Sequence, residues 1–267
     1  MVTRIGVCGA AGRMGQAIIQ TCDEKKDIEL TAAIEHHGSP YLNLDAGEQA
    51  GIVPLGVSIG DNISMITEQI DVLIDFTVAS SITETVEKCH AARKPLVIGT
   101  TGLNEKQQKM LHQAGQDIAI IFAPNMSIGI NLCLKLLKIV TQTVGQDADI
   151  DILEAHHKYK KDAPSGTALQ MGEVIAEALG KTLPECAVYN AIGRAEARQE
   201  NSIGFNSIRA GNIIGEHKVM FHLAGENLEI SHKATSRKNF ALGAIRAAQW
   251  LKNKPPGLFN MQDVICC

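Results

Sequence analysis

The 267 residues predict an α/β protein in two parts, a helix-flanked parallel sheet followed by a smaller α+β domain with a mainly antiparallel sheet. Three observations carry this expectation. Short β-branched runs alternate with amphipathic segments as far as residue 123, consecutive strand-like runs take over beyond residue 143, and one long helical pattern returns before the C-terminus.

In the first part, residues 4–8 read as a strand, 15–23 as a helix and 29–35 as a second strand. The alternation continues with strands at 71–76, 95–99 and 117–123 and helices at 81–92 and 104–114. Strands joined through helices pair in parallel, with the helices covering the sheet. Residues 128–143 repeat apolar side chains at helical spacing and mark the change of domain. Strand-like runs follow at 149–155, 203–210, 216–223 and 227–232, the later ones separated by the turn signals Gly211-Asn212 and Gly225-Glu226-Asn227. The helical run at 239–252 is expected to pack back on the first domain. The domains are therefore expected at 1–127, completed by 237–267, and at 128–236.

Composition narrows the function. Apolar residues make up 45%, charged residues 20%, and the formal charge is -4, which argues for a globular protein and against a broad basic nucleic-acid surface. Aromatic residues reach only 4%, with Trp250 the single tryptophan, so stacking platforms for bases are few. The seven cysteines, Cys266 and Cys267 among them, are odd in number and include no C-x-x-C pair, which reads as free thiols in a reducing compartment. The N-terminus runs directly into a strand without the charged head and apolar body of a signal peptide, and no apolar run approaches the roughly 20 residues of a membrane span. A cytoplasmic protein with a small-molecule substrate and no membrane or nucleic-acid partner is expected.

Gly9-Ala10-Ala11-Gly12-Arg13-Met14-Gly15 follows the first strand and opens a helix. Glycines here permit a tight turn and let backbone N–H groups approach a pyrophosphate, the signature of a Rossmann-like dinucleotide domain. The spacing is G-x-x-G-x-x-G rather than the commoner G-x-G-x-x-G. Glu35 ends the second strand about 20 residues beyond Gly15, where a carboxylate accepts hydrogen bonds from an adenine-ribose diol. That carboxylate repels a 2′-phosphate, whereas Arg13 and the pair His36-His37 attract one, so the residues leave NADH and NADPH both open. Gly99-Thr100-Thr101-Gly102, Ala123-Pro124-Asn125-Met126 and Asp75-Phe76-Thr77 each follow a strand and lie at the carboxyl edge of the sheet, where ligands bind in such folds.

The run from Glu154 to Thr167, Glu-Ala-His-His-Lys-Tyr-Lys-Lys-Asp-Ala-Pro-Ser-Gly-Thr, leaves a strand and enters a helix. Ser165, Gly166 and Thr167 offer N–H and O–H donors at the positive end of a helix dipole, a receptor for carboxylate. Lys158, Lys160 and Lys161 add positive charge that favours an acidic substrate. Histidine titrates near neutrality and exchanges protons. His156 and His157 are neighbours that point to opposite sides of an extended backbone, and no nearby cysteine or H-E-x-x-H spacing completes a metal site, so no metal is expected.

With these motifs in place, the chain resembles the 4-hydroxy-tetrahydrodipicolinate reductases, or dihydrodipicolinate reductases, over nearly its whole length. The resemblance rests on Gly9 to Gly15 with Arg13-Met14, Asp75-Phe-Thr77, Val97-Ile-Gly-Thr-Thr-Gly102, Glu154-Ala-His-His157, Lys160-Lys-Asp-Ala-Pro-Ser-Gly-Thr167 and Gly215-Glu-His217. It implies a nucleotide domain, a substrate domain whose sheet assembles a homotetramer, and NAD(P)H-dependent reduction of a dicarboxylated cyclic substrate in diaminopimelate and lysine biosynthesis. His156 would donate or accept a proton and Lys160 would donate one, while His157, Ser165, Gly166 and Thr167 would hold the substrate carboxylates. Residues 9–14, Glu35, 99–101 and 123–126 would contact the cofactor, and Arg237 would contribute near the hinge. Some family members carry arginine after the strand-end glutamate where this chain has His36, which implies use of NADH or of both cofactors. The alternatives are another NAD(P)-dependent amino-acid or sugar dehydrogenase, since many share a nucleotide domain and a sheet domain, and a nucleotide sensor without catalysis.

Overall fold

In the computed structural model, which describes residues 2–189 and 197–265, the chain divides into two compact units: Met1–Ile128 with Arg237–Cys267, and Gly129–Ser236. The elements of the first unit run β1 (Thr3–Cys8), α1 (Arg13–Asp23), β2 (Ile28–Ile34), α2 (Ala46–Gln49), β3 (Ile59–Gly60), two 3-10 turns, β4 (Val72–Asp75), α3 (Ile82–Ala91), β5 (Leu96–Ile98), α4 (Glu105–Ala114) and β6 (Ala119–Phe122). Helix α5 (Ile128–Val144) leads into the second unit, with β7 (Asp149–His156), α6 (Gly166–Ala178), α7 (Leu183–Cys186), β8 (Ala187–Tyr189), β9 (Ile203–Arg209), β10 (Gly215–His222) and β11 (Asn227–Ala234). The chain closes with α8 (Lys238–Leu251), β12 (Gly257–Phe259) and α9 (Met261–Ile265).

The first unit holds a seven-stranded sheet in the order β12-β6-β5-β4-β1-β2-β3. All its pairings are parallel, and the order reverses direction beside β1, which makes it Rossmann-like. Parallel strands covered on both faces must be apolar throughout, and β4 and β5 are buried at every residue. One cluster packs Ile5, Val7, Ile74, Val97 and Ile121 beneath α1 and α8, and another packs Leu73, Leu96, Ile98 and Ile120 beneath α3 and α4. The short edge strands β3 and β12 have no strand signal of their own in the sequence, because two or three residues carry no readable alternation.

The second unit holds a five-stranded sheet in the order β11-β10-β7-β9-β8. The expected antiparallel pairing holds for β11-β10 and β10-β7, but β7-β9 and β8-β9 are parallel, so the sheet is mixed. The reason is α6, which carries the chain across the sheet between β7 and β9 and returns it in the same direction. Register puts Ile150, Ile152, Ile203, Phe205, Val219 and Phe221 on one face, buried under α5 and α6. Farther along the same face stand Glu154, His156, Ser207, Arg209, His217 and His232. One face thus changes from core to polar site within a single strand length.

Helix α8 approaches the chain after β6 closely enough that a Cβ on Gly243 would lie 1.7 Å from the Met126 carbonyl oxygen. Both groups are backbone-fixed, so the clash has no cheap relief. Gly243→Ala is expected to cost about 3 kcal/mol, read as a lower midpoint at unchanged slope in urea unfolding.

Candidate active site

Four strand ends of the first sheet place the residues read as cofactor-binding. After β1, Gly9 adopts φ +77°, and the N–H groups of Gly9 and Ala10 both donate to the Ile34 carbonyl. A Cβ on Gly15 would lie 2.1 Å from the Gly9 carbonyl oxygen, so α1 begins pressed against the strand end. Gly12, at the helix N-cap, offers no side chain to cap it, which leaves the start of α1 able to receive an anion. This cradle fits a pyrophosphate, and a Cβ at Gly15 would deform it. Glu35 lies beside the loop, and its Oε1 accepts from the Ala11 N–H at 2.9 Å. The His36 ring Nδ1 lies 3.1 Å from the His37 carbonyl, and His37 Nδ1 lies 2.7 Å from Asp61.

After β4 and β5, the fully buried Asp75 carboxylate gathers the edge together. It accepts from the hydroxyls of Thr77 (2.7 Å), Thr85 (2.9 Å) and Thr100 (2.8 Å) and from the Thr77 N–H. Gly99 packs so closely on Phe76 that an added Cβ would meet the ring at 2.3 Å. After β6, the Ser127 N–H donates to the Asn125 side chain, and Met126 is buried, its carbonyl turned to α8.

In the second unit, Glu154 and His156 stand two residues apart on β7 and therefore share a face. Glu154 is 1% exposed and His156 9%. Arg209, opposite His156 on β9, clamps both Glu154 oxygens at 2.9 and 2.6 Å, and His156 Nδ1 lies 2.5 Å from Glu154 Oε2. His217 on β10 packs edge-on against His156, ring centroids 5.2 Å apart, and its Nε2 lies 3.1 Å from Ser165 Oγ. Ser165 also caps α6, accepting from the Ala168 N–H at 3.2 Å. A side chain at Gly166 would meet nothing within 4 Å, so the helix start opens onto free space. Lys160 Nζ pairs with Asp162 at 2.8 Å, and Arg209 donates to the Asp162 carbonyl.

Charge states follow from these contacts. Burial alone would raise the Glu154 carboxyl, but hydrogen bonds from Arg209, Ser207 and His156 outweigh it and hold the group below the ordinary range. Burial lowers the pKa of His156 against the upward pull of Glu154, with Lys160 and Arg209 adding to the depression. A carboxylate only accepts, so the Nδ1–H of His156 donates to Glu154 and Nε2 is left as the proton-accepting nitrogen. Burial, and then the charge of His156, push His217 down to about 4.

Family models match both units. "Dihydrodipicolinate reductase, N-terminus" covers residues 3–126 and "Dihydrodipicolinate reductase, C-terminus" covers residues 129–265. The chain belongs to the dihydrodipicolinate reductase family. It is 51% identical over 265 residues to the 4-hydroxy-tetrahydrodipicolinate reductase of Methylococcus capsulatus, covering 99% of this chain and 98% of that one. It is 48% identical over 264 residues to the enzyme of that name from Hahella chejuensis, covering 99% of each. Its fold also matches a dipicolinate-bound dihydrodipicolinate reductase from Paenisporosarcina sp. TG-14, with TM-score 0.77, 24% identity, and coverage of 97% of this chain and 98% of that one.

Within this dihydrodipicolinate reductase fold, the residues read from sequence fall into two groups. Residues 9–14, Glu35, His36, 99–101 and 123–126 gather at the carboxyl edge of the first sheet, although the Met126 side chain and the Thr100 hydroxyl are occupied internally. His156, His157, Lys160, Ser165, Gly166 and Thr167 gather between the end of β7 and the start of α6. Ser165 spends its Oγ on the cap and on His217, and Nδ1 of His157 is buried without a hydrogen-bond partner. Arg237 stands at the N-cap of α8. Sequence reading did not assign roles to Glu154, Arg209 or His217. The period-2 spacing of Glu154 and His156 was a usable signal, whereas Arg209 required the parallel pairing of β9. Cys266 and Cys267 lie outside the described residues. Among the described residues, no cluster of three or more His, Cys, Asp or Glu has a geometry to hold a metal.

His217, 5% exposed, resists protonation in the folded chain more than in the unfolded one. Its contribution to stability is therefore complete above about pH 6.5 and is lost as the pH falls toward about 4, amounting to about 3 kcal/mol. Urea unfolding at pH 7.5 and pH 4.5 should show that loss, and the loss should shrink in His217→Gln.

Proposed function

We propose that the chain reduces 4-hydroxy-tetrahydrodipicolinate to tetrahydrodipicolinate with NADH or NADPH, in diaminopimelate and lysine biosynthesis. The end-to-end match to relatives of that activity carries the reading. The balance is one hydride and one proton taken up and one water released.

The first unit is the dinucleotide-binding domain. Gly9, Ala10, Ala11, Gly12, Arg13 and Met14 would hold the pyrophosphate at the start of α1. Glu35 would receive the adenine-ribose hydroxyls, with His36 beside it. Gly99, Thr100 and Thr101 and the stretch from Ala123 through Pro124 and Asn125 to Met126 would line the rest of the edge. When bound, the nicotinamide supplies the hydride. His36 in place of arginine supports use of NADH or of both cofactors, because an imidazole lacks the bidentate fork with which a guanidinium holds a 2′-phosphate.

The second unit is the substrate-binding and oligomerisation domain. His157, Ser165, Gly166 and Thr167 would hold the two carboxylates at the start of α6, where the dipole and the lysines at 158, 160 and 161 favour anions. Lys160 would give its ammonium proton to the ring as electron density builds there. His156, neutral with Nδ1 on Glu154, would accept or return a proton at Nε2. The outer face of the five-stranded sheet, where Leu153, Ile208 and Met220 stand among the charged side chains of Lys218, Glu229 and Lys233, would assemble the homotetramer. The five cysteines among the described residues, all free and buried, support a reducing, cytoplasmic setting. No described helix is long and apolar enough to cross a membrane.

Steady-state kinetics on the product of dihydrodipicolinate synthase test the reading. Oxidation of NADH or NADPH should require that substrate, and turnover of aspartate or a sugar instead would refute it. His156→Ala and Lys160→Ala should each lower kcat by about 10²–10⁴-fold with cofactor binding retained. His36→Arg should raise kcat/KM with NADPH relative to NADH, and an unchanged ratio would remove His36 from cofactor choice.

A further inference from the structure

Glu154 occupies a position where an apolar residue would fold at least as well. It follows Ile150 and Ile152 on the core-facing side of β7 and is 1% exposed. Burying an ion pair brings little net stability compared with apolar packing of similar volume, so this carboxylate calls for another reason. Its contacts supply one. Arg209 holds both oxygens and is itself fixed by bonds to the carbonyls of Ile208 (2.7 Å) and Asp162 (2.6 Å). Ser207 adds a side-chain hydrogen bond, and a further Oε2 contact goes to His156 Nδ1. On the far side of the ring, a Cβ on Gly215 would stand 3.1 Å from Nε2, so the glycine keeps that nitrogen uncrowded.

We propose that Glu154, clamped by Arg209, is a positioning residue for the reduction: it fixes the ring orientation and Nδ1–H tautomer of His156 and so reserves Nε2 for proton exchange. The proposal rests on the role of His156 given above. Asp162 is excluded as the partner, since its carboxylate is engaged by Lys160 and it reaches Arg209 only through its carbonyl. The titratable and charged groups around His156 are Glu154 on its own strand, Arg209 on β9, His217 on β10, His232 on β11 in register with His217, and Lys160 with Asp162 in the following loop. Among the described residues, only Glu154 hydrogen-bonds the ring directly. A carboxylate there favours the imidazolium, and its removal leaves burial, Lys160 and Arg209 acting unopposed.

The pH dependence of kcat/KM in the parent, Glu154→Gln, Glu154→Asp and His156→Ala proteins tests this. Glu154→Gln should lower kcat at least tenfold with substrate KM within about threefold, and should move the limb that reports His156 to lower pH by about one unit, whether His156 acts as acid or as base. Glu154→Asp should recover part of kcat and return the limb toward the parent position. An unmoved limb, or parent-like turnover in Glu154→Gln while His156→Ala is inactive, overturns the proposal alone. Full activity in His156→Ala overturns the assignment beneath it as well. Should Glu154→Gln fail to fold, nitrogen NMR of the histidine-labelled parent decides: the His156 ring, identified by its loss in His156→Ala, must show the Nδ1–H tautomer near neutral pH, and the Nε2–H tautomer overturns the proposal.

Discussion

A buried carboxylate on β7 is the constraint around which the second unit is arranged. Ile150 and Ile152 face the core, and the same parity carries Glu154 and His156 inward. A slip of one residue would expose the isoleucines and bury Asp151, so core packing and the placement of the site are enforced by the same register. The carboxylate then dictates its surroundings. It needs a guanidinium at its own depth, and β9 delivers Arg209 only because it runs parallel to β7, putting Ser207 opposite Glu154 and Arg209 opposite His156. The other flank is antiparallel, and there His217 falls opposite Glu154. The mixed sheet is therefore what surrounds one acid with a cation on one side and a neutral imidazole on the other.

The crossover helix that makes β9 parallel also brings its own start to the site. Ser165 caps α6 and touches His217 in one arrangement, so the helix N-terminus, the receptor end of the dipole, is tied to the histidine cluster. A hydroxyl can do both because it accepts from Ala168 and still has a hydrogen to donate to His217 Nε2. In the proposed carboxylate site, Ser165 would contribute through where it holds the helix start, since its hydroxyl is engaged by Ala168 and His217.

Much of this was legible in the sequence. The alternating apolar runs marked β1, β2, β4, β5, β6 and the helices α1, α3 and α4 to within a residue or two, since buried parallel strands are apolar along their whole length, whereas the four-residue α2 gave no signal. The glycine loop was legible because only glycine tolerates the Gly9 conformation and the 2.1 Å approach at Gly15. The segment from His156 to Thr167 was legible as chemistry because histidines, lysines and a helix start coincide in a few residues. What did not show was everything set by pairing between distant strands. Nothing local distinguishes Arg209 from any strand-end arginine, and it stands 55 positions from Glu154, with no motif of its own to tie the two. The parallel β7-β9 pair was hidden likewise, because the turn signal near Gly225 reports only the β10-β11 hairpin, while the one near Gly211 joins β9 to β10, two strands that do not pair.

The two units also differ in how they keep an acid inside. Asp75 is wholly buried and receives only neutral donors, three threonine hydroxyls and a backbone N–H. Such a cage is fixed by geometry and joins β4, α3 and the loop after β5 into one edge. Glu154 instead shares its charge between a permanent cation and an imidazole that titrates. Arg209 keeps the carboxylate ionised whichever state His156 is in, so gain or loss of a proton at the ring changes the charge of the cluster without leaving a buried acid unpaired. That tolerance is what the proposed proton exchange at His156 would need in so buried a place, and the threonine cage around Asp75 would not supply it.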